Sequence, residues 1–106
     1  MKLMTKALER QMPALYAQEG KGDDAIVYAK FFTPDGNWTW YATEYRPEER
    51  LFFGLVDGQY QELGYFSLDE LESAKGPLGL PIERDLHWRP MTLGEVRRTQ
   101  VLTGVA

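Results

Sequence analysis

The chain has 106 residues, 43% hydrophobic and 26% charged, which is the make-up of a soluble globular protein and enough chain for one domain, expected over residues 1–106. With no cysteine and one histidine it has no means to form disulfides, thiolate metal sites, iron–sulfur clusters or a thiol nucleophile. Sixteen Asp and Glu against twelve Lys and Arg leave a net charge of −4, a poor footprint for gripping a polyanion.

The opening residues, MKLMTKALERQMPALYAQEG, interrupt every apolar stretch with charge, so no segment has secretory or membrane-spanning length. The expected setting is the cytoplasm, with no membrane partner. Thr5 is placed as an N-cap, and Ala7, Leu8, Met12 and Leu15 recur at helical spacing, so an amphipathic helix is expected over 5–12, ended by Pro13. Residues 18–24 (QEGKGDD) are polar and glycine-rich and read as a loop.

From Ala25 to Phe66 the period becomes that of strands, rich in aromatic and β-branched residues. Four are expected: Ala25 to Thr33, Trp38 to Tyr45, Leu51 to Val56, and Tyr60 to Phe66. The breaks between them are Pro34-Asp35-Gly36-Asn37, Arg46-Pro47-Glu48-Glu49-Arg50 and the hairpin signal Asp57-Gly58. Connections this short cannot make parallel crossovers, so the sheet is expected to be an antiparallel meander. Ser67 and Glu70 then have capping-box spacing for a short helix that Gly76-Pro77 stops, and residues 76–90, with three prolines, are expected to wrap the domain as an ordered loop. Thr92 and Glu95 make a second capping box, with Met91 and Val96 as a hydrophobic staple, for a C-terminal helix from about Leu93 to Leu102. The fold class is α+β: a four-stranded antiparallel β-meander flanked by an N-terminal helix, a short helix after the sheet and a C-terminal helix.

Twelve of the fourteen aromatic residues fall between Tyr28 and Phe66. Strict alternation turns Trp38 and Trp40 to one face and Tyr41 and Tyr45 to the other, which offers either core or an aromatic platform for a partner protein or unpaired bases. Few cations accompany these rings: Lys30, Arg46 and Arg50 stand beside Glu44, Glu48, Glu49 and Glu62. The run from Gly20 to Asp24 lacks the spacing of a phosphate loop and precedes a strand rather than a helix, and adjacent Asp23 and Asp24 in a solvated loop diverge too far to chelate a hard cation together. The densest group of reactive side chains is Glu83-Arg84-Asp85-x-His87-Trp88-Arg89, where His87 has Asp85 or Glu44 to orient it as a general base. The plainer reading makes Arg84 and Asp85 fasteners of an irregular segment, with the rings of His87 and Trp88 packed beneath.

The blocks GKGDDAIVYAKFFTP (20–34), NWTWYATE (37–44), FFGLV (52–56), ELGYFSLDELES (62–73) and GLPIERDLHWRP (79–90) closely resemble, in order from about Leu3 to Pro90, a small bacterial family called domain of unknown function 2958. Members of that family are met on plasmids, integrative conjugative elements and phages, which implies an accessory role in transfer, maintenance or conflict with host defences. The resemblance brings no activity, cofactor or catalytic residue with it.

These readings combine into a cytoplasmic, non-enzymatic interaction protein of mobile-element origin. It is expected to bind another protein without cofactor, metal or catalytic residue, through a surface drawn from Asp23, Asp24, Trp38, Tyr41, Tyr45, Arg84, Asp85, His87 and Trp88. A single-stranded nucleic-acid module would instead use Arg84, Arg89, Arg97 and Arg98 for phosphates. A hydrolase or lyase would gather Asp23, Asp24, Glu44, Asp85 and His87 around one cleft.

Overall fold

A computed structural model describes residues 1–102 and places them in an α+β fold; residues 103–106, part of the expected single domain, lie outside the described residues. Helix α1 (Lys6–Gln11) starts where Thr5 Oγ1 accepts from Leu8 N at 3.1 Å. Strands β1 (Ile26–Val27), β2 (Ala29–Phe32), β3 (Thr39–Arg46), β4 (Leu51–Asp57) and β5 (Gln61–Ser67) precede α2 (Leu68–Ser73), whose first turn is capped by Ser67 Oγ accepting from Glu70 N. Two short strands follow, β6 (Glu83–Arg84) and β7 (Met91–Thr92), and then α3 (Leu93–Thr99), which opens on the full Thr92/Glu95 capping box and stops at Gln100, short of Leu102. Met91 and Val96 share one apolar cluster, as a staple requires.

The main sheet runs β5-β4-β3-β2-β6, antiparallel throughout, so the meander is present but has five strands rather than four. The extra strand comes from the segment read as a loop: Glu83 and Arg84 pair with Phe32 and Phe31. Two residues between prolines are too few to show an alternation, and the pairing is set by the otherwise open edge of β2.

The expected strand from Ala25 to Thr33 breaks at Tyr28, whose N–H still reaches Ala42 O at 2.8 Å. Unbroken, it would turn Val27, Ala29 and Phe31 to one face. Instead Val27 joins one core cluster while Ala29 and Phe31 join the other, and β1 lifts off to pair with β7 as a separate ribbon.

Both faces of the sheet are covered over most of their area. On one, Phe31, Ala42, Tyr45, Phe52 and Phe66 meet Leu3, Met4, Leu8 and Met12 from the N-terminal segment and Leu68 and Leu71 from α2. Phe52 is the hub, with ring centroids 5.3 Å from Phe31, 4.6 Å from Tyr45 and 5.2 Å from Phe66. On the other face Tyr41 and Leu55 pack against Ala25 and Val27 and against Leu93 and Val96 of α3.

Tyr41 and Tyr45 therefore do not share a face, against the alternation. The register passes from Ala42↔Gly54 directly to Glu44↔Phe53, so Thr43 is an extra residue. Such a bulge inverts the side-chain order beyond it, and both the Tyr45 ring and the Glu44 carboxylate end on faces opposite to those that parity assigns.

Candidate functional site

The residues singled out in the sequence separate into three places. Tyr41 and Tyr45 are 1% and 4% exposed and are core rings, out of reach of a partner. Trp88 is half-buried beside Tyr41, centroids 5.9 Å apart, with its indole N–H donated to Val27 O at 3.1 Å. Its ring also shares Lys30 with Tyr41, the ammonium lying 5.9 Å from Trp88 and 6.0 Å from Tyr41.

Arg84, Asp85, His87 and Trp38 do come together, with Lys30 and Thr39, around a shallow polar depression at the β2–β6 edge. There Asp85 Oδ1 accepts from the backbone N–H of His87 at 2.9 Å, which closes the turn. Trp38 stacks on Trp40 at 5.9 Å and covers Gly58, where a Cβ would meet the Trp38 ring at 2.3 Å. Asp23 and Asp24 belong to the 3₁₀ turn Gly22–Asp24 under α3, and Asp23 is paired with Arg97 at 3.4 Å. Glu44 lies on β3, on the far side of β2 from Asp85 and His87, and lines a different hollow. The five groups that acid–base chemistry would need thus do not line one cleft, and among the described residues no three His, Asp or Glu side chains are grouped to hold a metal ion.

The better-formed hollow is on the α3 face, at the β5 end of the sheet, with a volume of about 430 Å³. Tyr16, Phe53, Leu63 and Tyr65 give it an apolar lining, and Gln18, Glu19, Thr43 and Glu44 add polar groups. Its rings are linked: Phe53 meets Tyr65 edge-on at 5.1 Å, and the side chains of Tyr16 and Tyr65 share a hydrogen bond that, ahead of partial burial, raises the pKa of the Tyr65 phenol. Tyr16, Leu63 and Tyr65 remain 55%, 52% and 53% exposed, so this is apolar surface that the rest of the fold leaves uncovered.

A polar latch fixes the wall that carries Tyr16. The bulge at Thr43 turns Glu44 inward on this face, where its carboxylate accepts from Tyr16 N at 2.8 Å and Gln18 N at 2.7 Å. Glu44 is 4% exposed, and two charge-assisted hydrogen bonds replace the water it has lost. Gln18 is buried beside it. Its amide donates to Ile26 O and Thr43 O, both at 2.8 Å, and accepts from Ile26 N at 2.6 Å, so the segment after α1 is tied to β1 and β3 at once. Tyr16 sits at φ 74°, a left-handed conformation that non-glycine residues rarely adopt, and Glu44 holds its N–H there.

Sequence reasoning missed Tyr16, Leu63 and Tyr65. A signal existed: β5 is the last strand of the meander, and Leu63 and Tyr65 alternate with Phe66 on the opposite face. Glu44 was weighed as a partner for His87, whereas its partners are the amides of a segment whose fold no local pattern announces.

A family model described as "Protein of unknown function (DUF2958)" matches residues 3–95, so the chain belongs to that family. No curated protein and no solved structure matches it.

Proposed function

We propose that this member of the family is a non-enzymatic interaction protein that seats part of another protein in the hollow between Tyr16 and β5. The observation that carries the reading is the uncovered group Tyr16, Leu63 and Tyr65 over Phe53, on a wall fixed by the Glu44 and Gln18 latch. Rigid aromatic side chains around a preformed hollow give large apolar contact at small ordering cost, which is the profile of an interface hot spot. The setting proposed is the cytoplasm, in keeping with the absence of cysteine, and no helix among the described residues is long and apolar enough to cross a membrane. An accessory role on a plasmid, conjugative element or phage rests on the family resemblance.

The test is affinity capture of tagged protein from its host, beside a Leu63→Ser/Tyr65→Ser variant. Both side chains are about half exposed and outside the two core clusters, so the variant should still fold, which its circular dichroism checks. A protein recovered with the wild type and absent from the variant supports the reading. Equal recovery by both forms overturns this hollow as the interface.

A further inference from the structure

The outer edge of β5 borders the same hollow, and its backbone parity follows from three contacts. Gly58 N donates to Tyr60 O at 3.1 Å and Leu68 N to Arg50 O at 2.8 Å, which closes the β4–β5 ladder at both ends on even-numbered residues. Between them Phe53 turns its carbonyl the other way, to β3, where the Thr43 hydroxyl donates to it at 3.0 Å. Phe52, Gly54 and Val56 therefore bond β5 through Phe66, Gly64 and Glu62, their register partners. Leu63 and Tyr65 are left with N–H and C=O directed outward, and β5 is the terminal strand of the sheet. Their side chains stand on the hollow's face.

The charged side chains that line the hollow are acidic. Glu19 and Glu44 line it and, among the described residues, no Lys, Arg or His does. Arg46, which stacks on the Tyr16 ring at 5.8 Å, is already paired with Glu49 at 2.8 Å. A second copy of this chain would bring a second acidic rim and another net charge of −4 to the same place.

We infer that β5 is extended by an extended peptide of a partner protein, a basic one with alternating apolar residues. Its backbone takes the outward N–H and C=O of Leu63 and Tyr65. Its apolar side chains lie beside Leu63 and Tyr65 on the hollow's face, and a lysine or arginine answers Glu19. Strand addition supplies affinity through the main chain and specificity through alternate side chains. The inference rests on the hollow being the interface and adds how it is filled.

The experiment screens the intact protein against a phage library of random ten-residue peptides, then measures the most enriched synthetic peptide by calorimetry at low and high salt. Three variants separate the claims. Leu63→Ala keeps the outward N–H, Leu63→Pro removes it without touching the β4 ladder, and Glu19→Gln removes the charge. Enriched peptides should alternate apolar with other residues and contain Lys or Arg. Loss of one main-chain hydrogen bond should make Leu63→Pro about tenfold weaker than Leu63→Ala. Glu19→Gln should weaken binding and flatten its salt dependence. Equal affinity for Leu63→Ala and Leu63→Pro, both folded by circular dichroism, would overturn strand addition while leaving the hollow as an interface. No enrichment, enrichment of acidic peptides, or a sedimentation profile showing a stable dimer that Leu63→Pro dissolves would overturn the inference outright, the last by assigning the edge to a second copy.

Discussion

Tyr41 and Tyr45 belong to one strand and bury on opposite faces of the sheet, because Thr43 between them has no partner residue on β4. The same extra residue turns Glu44 towards the Tyr16 segment, so one bulge sets both the aromatic core and the wall of the hollow. Deleting Thr43 joins Ala42↔Gly54 to Glu44↔Phe53 as an unbroken ladder, so Glu44 and Tyr45 keep their faces, and what is lost is the hydroxyl bond to Phe53 O and the Thr43 carbonyl that accepts from Gln18. The deletion variant is expected to keep the dispersed amide spectrum of a folded protein and to unfold at a lower urea concentration than Thr43→Ala. Thr43→Ala keeps the extra residue and loses only the hydroxyl bond to Phe53 O, at a cost of about 1 kcal/mol in urea unfolding. A deletion variant that fails to fold would show that Glu44 and Tyr45 do not keep their faces without the extra residue.

Glu44 and Gln18 are both buried, and each is bonded to the segment that carries Tyr16. Glu44→Ala strands the buried N–H of Gln18 and the part-buried N–H of Tyr16 and should cost about 2–3 kcal/mol, with Glu44→Gln costing less because one acceptor survives. Gln18→Ala strands Ile26 N and two carbonyls and should cost about 2–3 kcal/mol. Since both side chains hold one segment, the double variant should lose less than the two separate losses added together, a coupling of about 1 kcal/mol or more in a double-mutant cycle. Strict additivity would mean that the latch is two independent fastenings.

The long, periodic elements were legible from sequence. Thr5, Ser67 and Thr92 cap the helices where the spacing places them, and the turns at residues 34–37 and Asp57-Gly58 join the expected hairpins. What was not legible depends on tertiary partners. Glu83 and Arg84 are a strand only because β2 offers them an edge, and Val27 parts from Ala29 only because Met91 offers another. The bulge leaves no mark in a run of residues that alternates well on either side of it. The hollow follows from these unread features: its Glu44 faces inward through the bulge, and its Tyr16 lies in a segment fixed by long-range hydrogen bonds rather than by propensity.

Gly54 and Gly64 face each other across β4 and β5 and have opposite reasons to be glycine. A Cβ on Gly54 would lie 1.9 Å from Tyr41 O, a backbone atom that cannot step aside without parting β3 from β4. Gly54→Ala should therefore cost about 3 kcal/mol or more by overpacking. At Gly64 nothing lies within 4 Å of the added carbon, so Gly64→Ala should stabilise by about 0.5–1 kcal/mol through the unfolded chain's lost freedom. Thermal melts of the two variants settle the contrast. Equal effects of one sign would mean that the close approach at Gly54 is relieved elsewhere.

Burial, with a smaller contribution from the buried carboxylate of Asp57, pushes the Tyr41 phenol up to about 12 from its ordinary value of 10.0. The folded chain thus holds this proton more tightly than the unfolded chain, and the sign of the effect on stability follows. Below pH about 10 both states are protonated and Tyr41 contributes no slope. Between 10 and about 12 the unfolded state ionises first, so stability falls as pH rises, and above that window both states are ionised and the slope disappears. Tyr45 and Tyr65 are raised as well and bend the same curve, so Tyr41 is isolated by difference. Urea unfolding from about pH 8 to 11 should show the two curves parallel below about pH 9 and wild type falling more steeply than Tyr41→Phe above it. Curves that stay parallel to the top of the range would mean that the phenol ionises as readily in the folded chain as in the unfolded one, and that the α3 face is wetter than its packing implies.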